Sequence, residues 1–236
     1  MSILFLGIDP GVSGAVASIG CTPYGTFPAV WDLPVTTNTF LANQSKCLDV
    51  PAFVDRIADE ILQNFDYVVF VTEIMQGMGF KTPARTLTML AEMAGNIEAT
   101  IRTICLTQNI PLFIRKYQPR IWTHWVFPNS GDRKDRKTEA KNESLDKARK
   151  LFPSLAEDLK LKKHHDRAEA LLLAFTSLAE LQGCVVEKKL KTFGALAEMY
   201  LTHSQSVKEK RAKFTDIFMR QLVKAGPIFD EIKGRK

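Results

Sequence analysis

The sequence predicts an α/β protein with a mixed β-sheet. The chain opens with three short strand patterns separated by tight turns, which indicate a meander over residues 3–9, 14–20 and 27–33. A helix, a strand, a long helix and another strand follow, and helices then complete the pattern. This order of elements is typical of α/β domains with a mixed sheet.

The first strand is an apolar run that ends in an acid, in the stretch ILFLGIDPG. A short apolar run bounded by turn residues favours a buried strand over a helix. Asp9 then lies where the strand leaves the core, and Pro10 and Gly11 turn the chain into the second strand. Asp-Pro-Gly is also common turn chemistry. An ordinary hairpin whose aspartate accepts backbone hydrogen bonds therefore stays open as an alternative.

The next part of the chain alternates between structure types. Residues 34–49 are polar and predict an irregular segment. A helix is expected from Pro51 to about Asn64, because its apolar residues recur at helical spacing. The β-branched and aromatic run YVVFVT then predicts a strand over 67–72 that ends in Glu73.

The second half is predicted to be largely helical, with one further strand. Its predicted elements are a long helix over 83–108, a strand over 110–115, a short helix within 118–127, a helix that ends at Leu151 and a helix over about 166–181. A charged, weakly apolar loop over 129–143 leads into the helix that ends at Leu151. We expect Gly183 to end the first domain, so that residues 184–236 form a basic helical C-terminal extension.

Composition excludes several classes of protein. The apolar and charged fractions, 45% and 25%, are those of an ordinary soluble globular protein. A run of eighteen apolar residues and a basic leader before the first apolar run are both absent from the sequence, which argues against a membrane span and against secretion. The four cysteines lie far apart without a C-x-x-C pair. They indicate reduced thiols inside a cell rather than a zinc ribbon or a disulfide framework.

Positive charge is concentrated in two segments. The chain has a net charge of +6. Residues 116–163 carry 13 basic and 7 acidic side chains, and residues 185–236 carry 12 and 6. Residues 1–115, in contrast, carry 6 basic and 10 acidic side chains. Two basic segments on a near-neutral body are expected of a protein that binds a phosphate backbone. Solvated helices are the alternative.

Further acids lie beside apolar elements. Glu73 repeats the pattern of Asp9 at the end of a strand, and sites in α/β sheets form outside the carboxyl ends of the strands. Asp166 and Glu169 are three residues apart at the start of the last helix, so both project from one face. The D-x-x-E spacing also suits a helix cap, with Asp166 as N-cap and Glu169 as its capping-box partner.

The combination of these acids predicts a metal site. Clustered carboxylates repel one another unless a cation lies between them, and no buried base is evident in the sequence to neutralise them. A pair of magnesium ions about 4 Å apart would activate water and stabilise the leaving oxygen of a phosphodiester.

The stretches that contain these acids resemble the motifs of a known family. They are GIDPGVSGAVA at the first strand, VVFVTE at the fourth and HHDRAEALLLA at the last helix. They resemble the three acidic motifs of RuvC-type Holliday junction resolvases, of the ribonuclease H-like (retroviral-integrase-like) nucleases, and look closest to bacteriophage forms. The resemblance covers about residues 1–182. It implies a ribonuclease H-like domain over residues 1–183, with a mixed five-stranded sheet flanked by helices.

The resemblance implies a role for each acid. Asp9, Glu73, Asp166 and Glu169 would hold two Mg²⁺ ions, with Mn²⁺ as an alternative metal. The second acid of the last motif is aspartate in the usual pattern, so Glu169 departs from it by one methylene. Lys141 lies at the position of a lysine of the family and would neutralise charge on the scissile phosphate.

The resemblance also implies a DNA-binding surface. Phe80 would wedge into the junction centre, and a phenylalanine folded back on the core is the alternative. The family pattern of a proline followed four residues later by a lysine is broken, because Pro119 is followed by Thr123. Nearby basic residues are therefore candidates for a second catalytic cation. The basic residues expected to contact DNA are Lys81, Arg85, Arg115, Lys116, Arg120, Arg133, Lys134, Arg136 and Lys137.

The implied function is that of a magnesium-dependent crossover junction endodeoxyribonuclease. Such an enzyme cleaves four-way junctions as a homodimer, and activity on forks and flaps stays open. The implied location is cytoplasmic, in a bacterial host if the chain is phage-encoded. His164 and His165 are candidates for a base or a metal ligand, or are solvated or capping residues. A non-catalytic branched-DNA-binding module and an actin- or hexokinase-type phosphotransferase are the two alternative functions.

Overall fold

A computed structural model describes residues 2–38, 45–62, 65–74, 83–127 and 137–181. Its strands are β1 (Ile3–Asp9), β2 (Ala15–Thr22), β3 (Gly25–Asp32), β4 (Val35–Asn38), β5 (Ser45–Leu48), β6 (Tyr67–Glu73) and β7 (Leu112–Tyr117). Its helices are α1 (Val50–Ile61), α2 (Ala84–Thr107), α3 (Pro119–Val126), α4 (Lys137–Leu151) and α5 (His165–Leu181). Short 3₁₀ turns at Pro153–Leu155 and Lys162–His164 connect α4 to α5.

A sheet of five strands in the order β3-β2-β1-β6-β7 forms the centre of the fold. The strands β1, β2 and β3 are antiparallel neighbours, whereas β6 runs parallel to β1 and β7 runs parallel to β6. The predicted α/β class is confirmed, and so is the mixed five-stranded sheet flanked by helices.

The side chains of the central strands alternate between two apolar cores, one on each face of the sheet. Ile3 and Phe5 of β1 face the core that α5 covers, which we call the α5 core. Leu4, Leu6 and Ile8 face the opposite core, which α1 and α2 cover. Both faces of β1 are therefore buried, which explains why its sequence is a continuous apolar run.

Helix α5 approaches β1 closely at Gly7. A Cβ atom on Gly7 would lie 2.1 Å from the carbonyl oxygen of Ala170 and 2.7 Å from the backbone nitrogen of Ala174. Both neighbours are backbone atoms of a packed helix and cannot rotate away. Only glycine at position 7 allows α5 to lie this close to the strand.

The prediction of an irregular segment over residues 34–49 is wrong. β4 and β5 pair as an antiparallel ladder that places Val35 opposite Leu48, and the N–H of Asp49 donates to the carbonyl of Pro34 at 3.0 Å. Leu48 is buried in the core covered by α1 and α2, and Val35 packs against the same core. Four-residue strands show too little alternation to be recognised in a sequence, and here tertiary packing stabilises them.

The predicted strand over 110–115 is displaced by two residues, because β7 covers Leu112–Tyr117. Pro111 has no N–H group to donate to a ladder, so the regular strand begins after it. At the other end the strand continues through Arg115 and Lys116. β7 is the edge strand of the sheet, a position at which charged side chains are tolerated.

The other predicted elements agree with the structure to within a few residues at their ends. The expected C-terminal extension and the expected domain end at Gly183 lie outside the described residues. None of the helices in the described part of the chain combines the length and hydropathy that a membrane span requires.

We predict that Gly7→Ala destabilises the fold by about 3 kcal/mol, because the added methyl group overlaps the backbone of α5. Gly95→Ala in α2 is the matched control, since a Cβ atom there meets no other atom within 4 Å. This second change should stabilise the protein by about 0.5–1 kcal/mol, because alanine is favoured over glycine inside a helix. Urea unfolding of both variants measures the difference. Equal stability of Gly7→Ala and the native chain would contradict the close approach of α5.

Candidate metal centre

Asp9 and Glu73 lie at the carboxyl ends of adjacent parallel strands. The register of β1 and β6 pairs Ile8 with Thr72, so the two acids follow at the same level of the sheet. Side chains alternate along a strand, and the residue two positions before each acid faces α5. Both acids therefore lie on the face of the sheet that α5 covers.

Helix α5 brings two further acids to this edge of the sheet. Asp9, Asp166 and Glu169 each place a carboxylate oxygen within 4.8 Å of the other two. Asp166 is the second residue of α5, and Glu169 follows on the same face of the helix. The Oδ2 atom of Asp166 is buried and has no hydrogen-bond partner among the described residues. These three residues are called the acidic triad below.

The turn after β1 holds the backbone of Asp9 and leaves its side chain to the triad. The N–H of Gly14 donates to the carbonyl of Gly11 at 2.9 Å, which closes the turn without the Asp9 side chain. A Cβ atom on Gly14 would lie only 2.2 Å from the carbonyl oxygen of Asp9. The glycine thus lets the turn pack directly on the Asp9 backbone. This geometry differs from the alternative in which Asp9 serves as a turn residue.

The electrostatic environment of Asp9 opposes its ionisation. Burial raises the pKa of Asp9 well above its ordinary value, and the negative charges of Glu169, Asp166 and Glu73 raise that pKa further. The positive charge of Lys141 lowers the same pKa. A bound cation would favour the charged carboxylate that burial and its neighbours disfavour.

Glu73 lies beside the acidic triad and is held by a tryptophan. The Nε1–H group of Trp122, in α3, donates to Oε1 of Glu73 at 2.5 Å. Burial raises the pKa of Glu73, the hydrogen bond from Trp122 lowers it, and the charge of Glu169 raises it. Glu73 therefore interacts with the triad electrostatically while its carboxylate is fixed from the side of α3.

Lys141 reaches the site from α4 and contacts a histidine there. Its Nζ atom lies 2.6 Å from Nε2 of His165, and the same Nε2 lies 2.9 Å from Oδ1 of Asp166. The other ring nitrogen, Nδ1, lies 3.2 Å from the carbonyl oxygen of Lys162. His165 thus sits between the lysine and the triad. His164, in contrast, is buried, and burial and the charge of Arg167 lower its pKa.

Glu169 also has a hydrogen-bond partner from α4. The hydroxyl of Ser144 lies 3.2 Å from Oε1 of Glu169 and 3.1 Å from the carbonyl oxygen of Ala140. Ser144 is fully buried, so its position is fixed by packing. Its contact helps to place the longer side chain of Glu169 within the triad.

Sequence reasoning missed Ser144 and Trp122. Ser144 looks like any polar residue of a charged helix, and Trp122 looks like an apolar residue of a short amphipathic helix. Neither residue lies at a sequence spacing that would predict contact with a carboxylate. Their role becomes visible only when α3 and α4 are packed against the end of the sheet.

An ion pair fixes the start of α5. Arg167 donates from Nε to Oδ1 of Asp32 at 2.5 Å and from Nη2 to Oδ2 at 2.7 Å, a bidentate pair. Its Nη1 donates to the carbonyl of Asp158 at 3.1 Å. Arg167 lies between Asp166 and Glu169 in the chain. The pair therefore joins the first turn of α5 to the end of β3.

The donor set fits a hard divalent cation. Mg²⁺ and Mn²⁺ prefer carboxylate oxygens, and the triad supplies these alone, without cysteine or histidine. The buried Oδ2 atom of Asp166 is an acceptor without a donor among the described residues, as expected of an atom that a cation would contact. The residues that could hold a metal are therefore Asp9, Asp166 and Glu169, with Glu73 beside them.

The residues expected to contact DNA are placed only in part. Outside the described residues lie Phe80, Lys81, Arg133, Lys134 and Arg136, together with the side chains of Arg85 in α2 and Lys137 in α4. Lys116 pairs with Glu98 of α2 at 2.8 Å. Arg120 is exposed, and the buried Nε of Arg115 has no hydrogen-bond partner among the described residues. Among the candidate cations that the structure describes, only Lys141 lowers the pKa of Asp9.

Comparisons with known proteins find similar solved structures. No protein-family model and no curated protein matches the chain. The chain is similar to Thermus thermophilus RuvC in complex with a Holliday junction substrate, with 16% identity over 75% of this chain and 92% of that chain, and a TM-score of 0.34. A further T. thermophilus RuvC structure matches with 14% identity, the same coverage and a TM-score of 0.33.

We predict that Asp9 and Glu73 destabilise the metal-free protein increasingly as the pH rises above about 4. The folded-state pKa of Asp9 and of Glu73 is raised above the unfolded value of about 4. Their contribution is therefore fully present below that value and is lost as the pH rises through the folded-state pKa. Asp9→Asn should raise the melting temperature at pH 8 in EDTA and flatten its pH dependence. Circular dichroism melts between pH 4 and 8 measure both.

Asp32→Asn is the matched control for this experiment. The hydrogen bond from Arg167 lowers the pKa of Asp32, so its contribution is present above the unfolded pKa and is lost as the pH falls. The two variants should therefore change the pH dependence in opposite directions. A lower melting temperature of Asp9→Asn than of the native chain at pH 8 in EDTA would contradict the repulsion described for the triad.

Proposed function

We propose that this chain is a metal-dependent endonuclease that cleaves branched DNA, with the four-way junction as its main substrate. The observation that carries this proposal is the convergence of Asp9, Asp166 and Glu169 at one edge of the sheet, within 4.8 Å of one another. Burial raises the pKa of Asp9 well above its ordinary value, and the charges of Glu169, Asp166 and Glu73 raise it further. A cation between these groups would allow them to coexist as carboxylates. The motif resemblance of the three acidic stretches and the basic segments of the sequence support DNA as the substrate.

The acidic triad and Glu73 would hold Mg²⁺ or Mn²⁺. Two such ions in a carboxylate site supply activation of water and stabilisation of the leaving oxygen in phosphodiester hydrolysis. The chain itself supplies orientation. The turn at Gly14 fixes the backbone of Asp9, and Ser144 and Trp122 each hold one glutamate. Preorganised ligands of this kind lower the cost of assembling the site on substrate.

Lys141 would act on the scissile phosphate. Its ammonium group is near enough to the triad to lower the pKa of Asp9 and contacts His165. A cation placed there would stabilise the negative charge that develops on a non-bridging oxygen of the phosphate. His165 would orient Lys141 through the contact of 2.6 Å between Nε2 and Nζ.

The remaining parts of the proposal rest on the resemblance of the sequence. They are a homodimer with one site for each cleaved strand, residues 1–183 as the nuclease domain, and residues 184–236 as a basic extension that contacts the DNA arms. Phe80 at the junction centre belongs to the same set. A two-fold symmetric dimer would hold two sites apart for paired cuts. A phage origin, with debranching of replicated DNA in the bacterial cytoplasm, is also part of this proposal.

We predict that the full chain nicks synthetic four-way junctions in Mg²⁺ and that Asp9→Asn abolishes the nicks. The reason is that asparagine offers a neutral ligand where the triad needs a charge. Labelled junctions, Y-forks, flaps and linear duplexes, resolved on denaturing gels, measure the activity and its selectivity. Glu157→Gln is the control, because the Glu157 side chain is exposed and pairs with Lys160 rather than with the triad. Junction binding without cleavage in either metal would leave a binding module in place of a nuclease.

We predict that Lys141→Gln lowers the single-turnover cleavage rate by about 100-fold, the loss typical of removing one group that stabilises transition-state charge. Metal binding should persist, since the carboxylates are intact. Lys150→Gln is the control on the same helix, because its side chain is exposed and lies in the last turn of α4. A rate unchanged in Lys141→Gln would contradict the role of Lys141 at the phosphate.

A further inference from the structure

Trp122 is placed to orient Glu73 for metal binding, and this role rests on the function proposed above. We propose that the Nε1–H group of Trp122 fixes the Glu73 carboxylate in the orientation that the metal centre needs. Trp122 is thus a positioning residue, since it contacts a ligand rather than the reacting atoms. The observation that carries the proposal is the hydrogen bond of 2.5 Å from Nε1 to Oε1 of Glu73.

The backbone connects Trp122 to Glu73 by a short and rigid path. Tyr117, the last residue of β7, pairs with Glu73 in the parallel ladder. The N–H of Ile74 donates to the carbonyl of Tyr117 at 2.8 Å, which fixes the chain directly after Glu73. Helix α3 begins at Pro119 and places Trp122 one turn later. The end of β7 therefore determines both where Glu73 lies and where the indole lies.

Packing leaves the indole of Trp122 little freedom. The side chain is 1% exposed and belongs to the α5 core. A buried ring of this size has one orientation in a close-packed core. Packing in the core fixes the direction in which its N–H group points. The hydrogen bond from this group then fixes the orientation of the Glu73 carboxylate.

Trp31 provides a comparison within the same chain. Its Nε1 atom is also buried, yet it has no hydrogen-bond partner among the described residues. The fold thus tolerates a buried indole N–H without an acceptor. An indole N–H group therefore does not require an acceptor in this fold. The fact that Trp122 donates to an acid at the end of β6 needs a further explanation.

The chemistry of the indole suits a residue that holds a metal ligand. An indole N–H donates one hydrogen bond and carries no charge. Arginine or lysine at this place would also hold Glu73, but would neutralise the charge that a cation requires. Trp122 can fix the carboxylate while its full negative charge remains for the metal. Partners of this kind behind a metal ligand are worth about 10–100-fold in metal affinity.

The test is Mn²⁺ binding to the full chain, measured by titration calorimetry for the native protein, Trp122→Phe and Trp125→Phe. Phenylalanine retains an aromatic ring and removes the N–H group. Trp125 is the matched control from the same helix, because its ring packs edge-on against Tyr117. We expect the dissociation constant to rise by about tenfold or more in Trp122→Phe and to stay native in Trp125→Phe. Melting temperatures in EDTA report whether each variant is folded.

A second measurement keeps Trp122 in place. The chain has three tryptophans, so Trp31→Phe combined with Trp125→Phe leaves Trp122 as the only indole. Its fluorescence emission should change on addition of Mg²⁺, with the midpoint that calorimetry gives for Mg²⁺ on the same protein. A structural role alone would not produce this signal.

The outcomes separate this inference from the proposed function. Native affinity in a folded Trp122→Phe, or an emission that ignores bound Mg²⁺, would overturn the role of Trp122 and leave the metal centre standing. Failure of the native chain to bind either metal would overturn the proposed function and, with it, the positioning role. Weakened binding in Trp122→Phe together with a Mg²⁺-dependent emission would support both.

Discussion

The close contact between β1 and α5 is the constraint on which the rest of the site depends. Gly7 has no side chain, so the backbone of α5 at Ala170 and Ala174 lies directly on the strand. Asp9 follows Gly7 by two residues on the same face. Asp166 precedes Ala170 by about one turn of the helix, and Glu169 is the residue directly before it. The distance between the acids is therefore set by backbone packing. Repulsion between the negative charges of the acids would otherwise drive them apart.

A cluster of acids of this kind opposes the stability of the protein that contains it. Burial raises the pKa of Asp9 in the folded chain, and the negative charges of its neighbours add to that effect. The two apolar cores and the Asp32–Arg167 pair hold the acids together against this repulsion. Sites that carry strain or uncompensated charge of this sort are where function and stability conflict. The gain is a set of ligands that is already converged before a cation arrives.

Much of the fold, and the segments that bear the acids, could be predicted from the sequence. Long elements such as α2 and α5 have clear apolar periodicity, and acids at strand ends follow from the polarity of parallel strands. The β4–β5 pair was missed because four-residue strands carry almost no periodicity. The positions of Trp122 and Ser144 were missed for a different reason. A hydrogen bond between residues 49 positions apart, as for Trp122 and Glu73, depends on packing that no local pattern records.

The order of the acids along the chain has a consequence for biosynthesis. Asp9 and Glu73 belong to strands that are made early, whereas Asp166 and Glu169 belong to α5 and are made much later. At a synthesis rate of about 5–20 residues per second, the interval between Glu73 and Asp166 lasts roughly 5–20 s. A ribosome-bound chain therefore carries two of the four acids without the other two. The four acids can converge only after α5 has emerged and docked on Gly7.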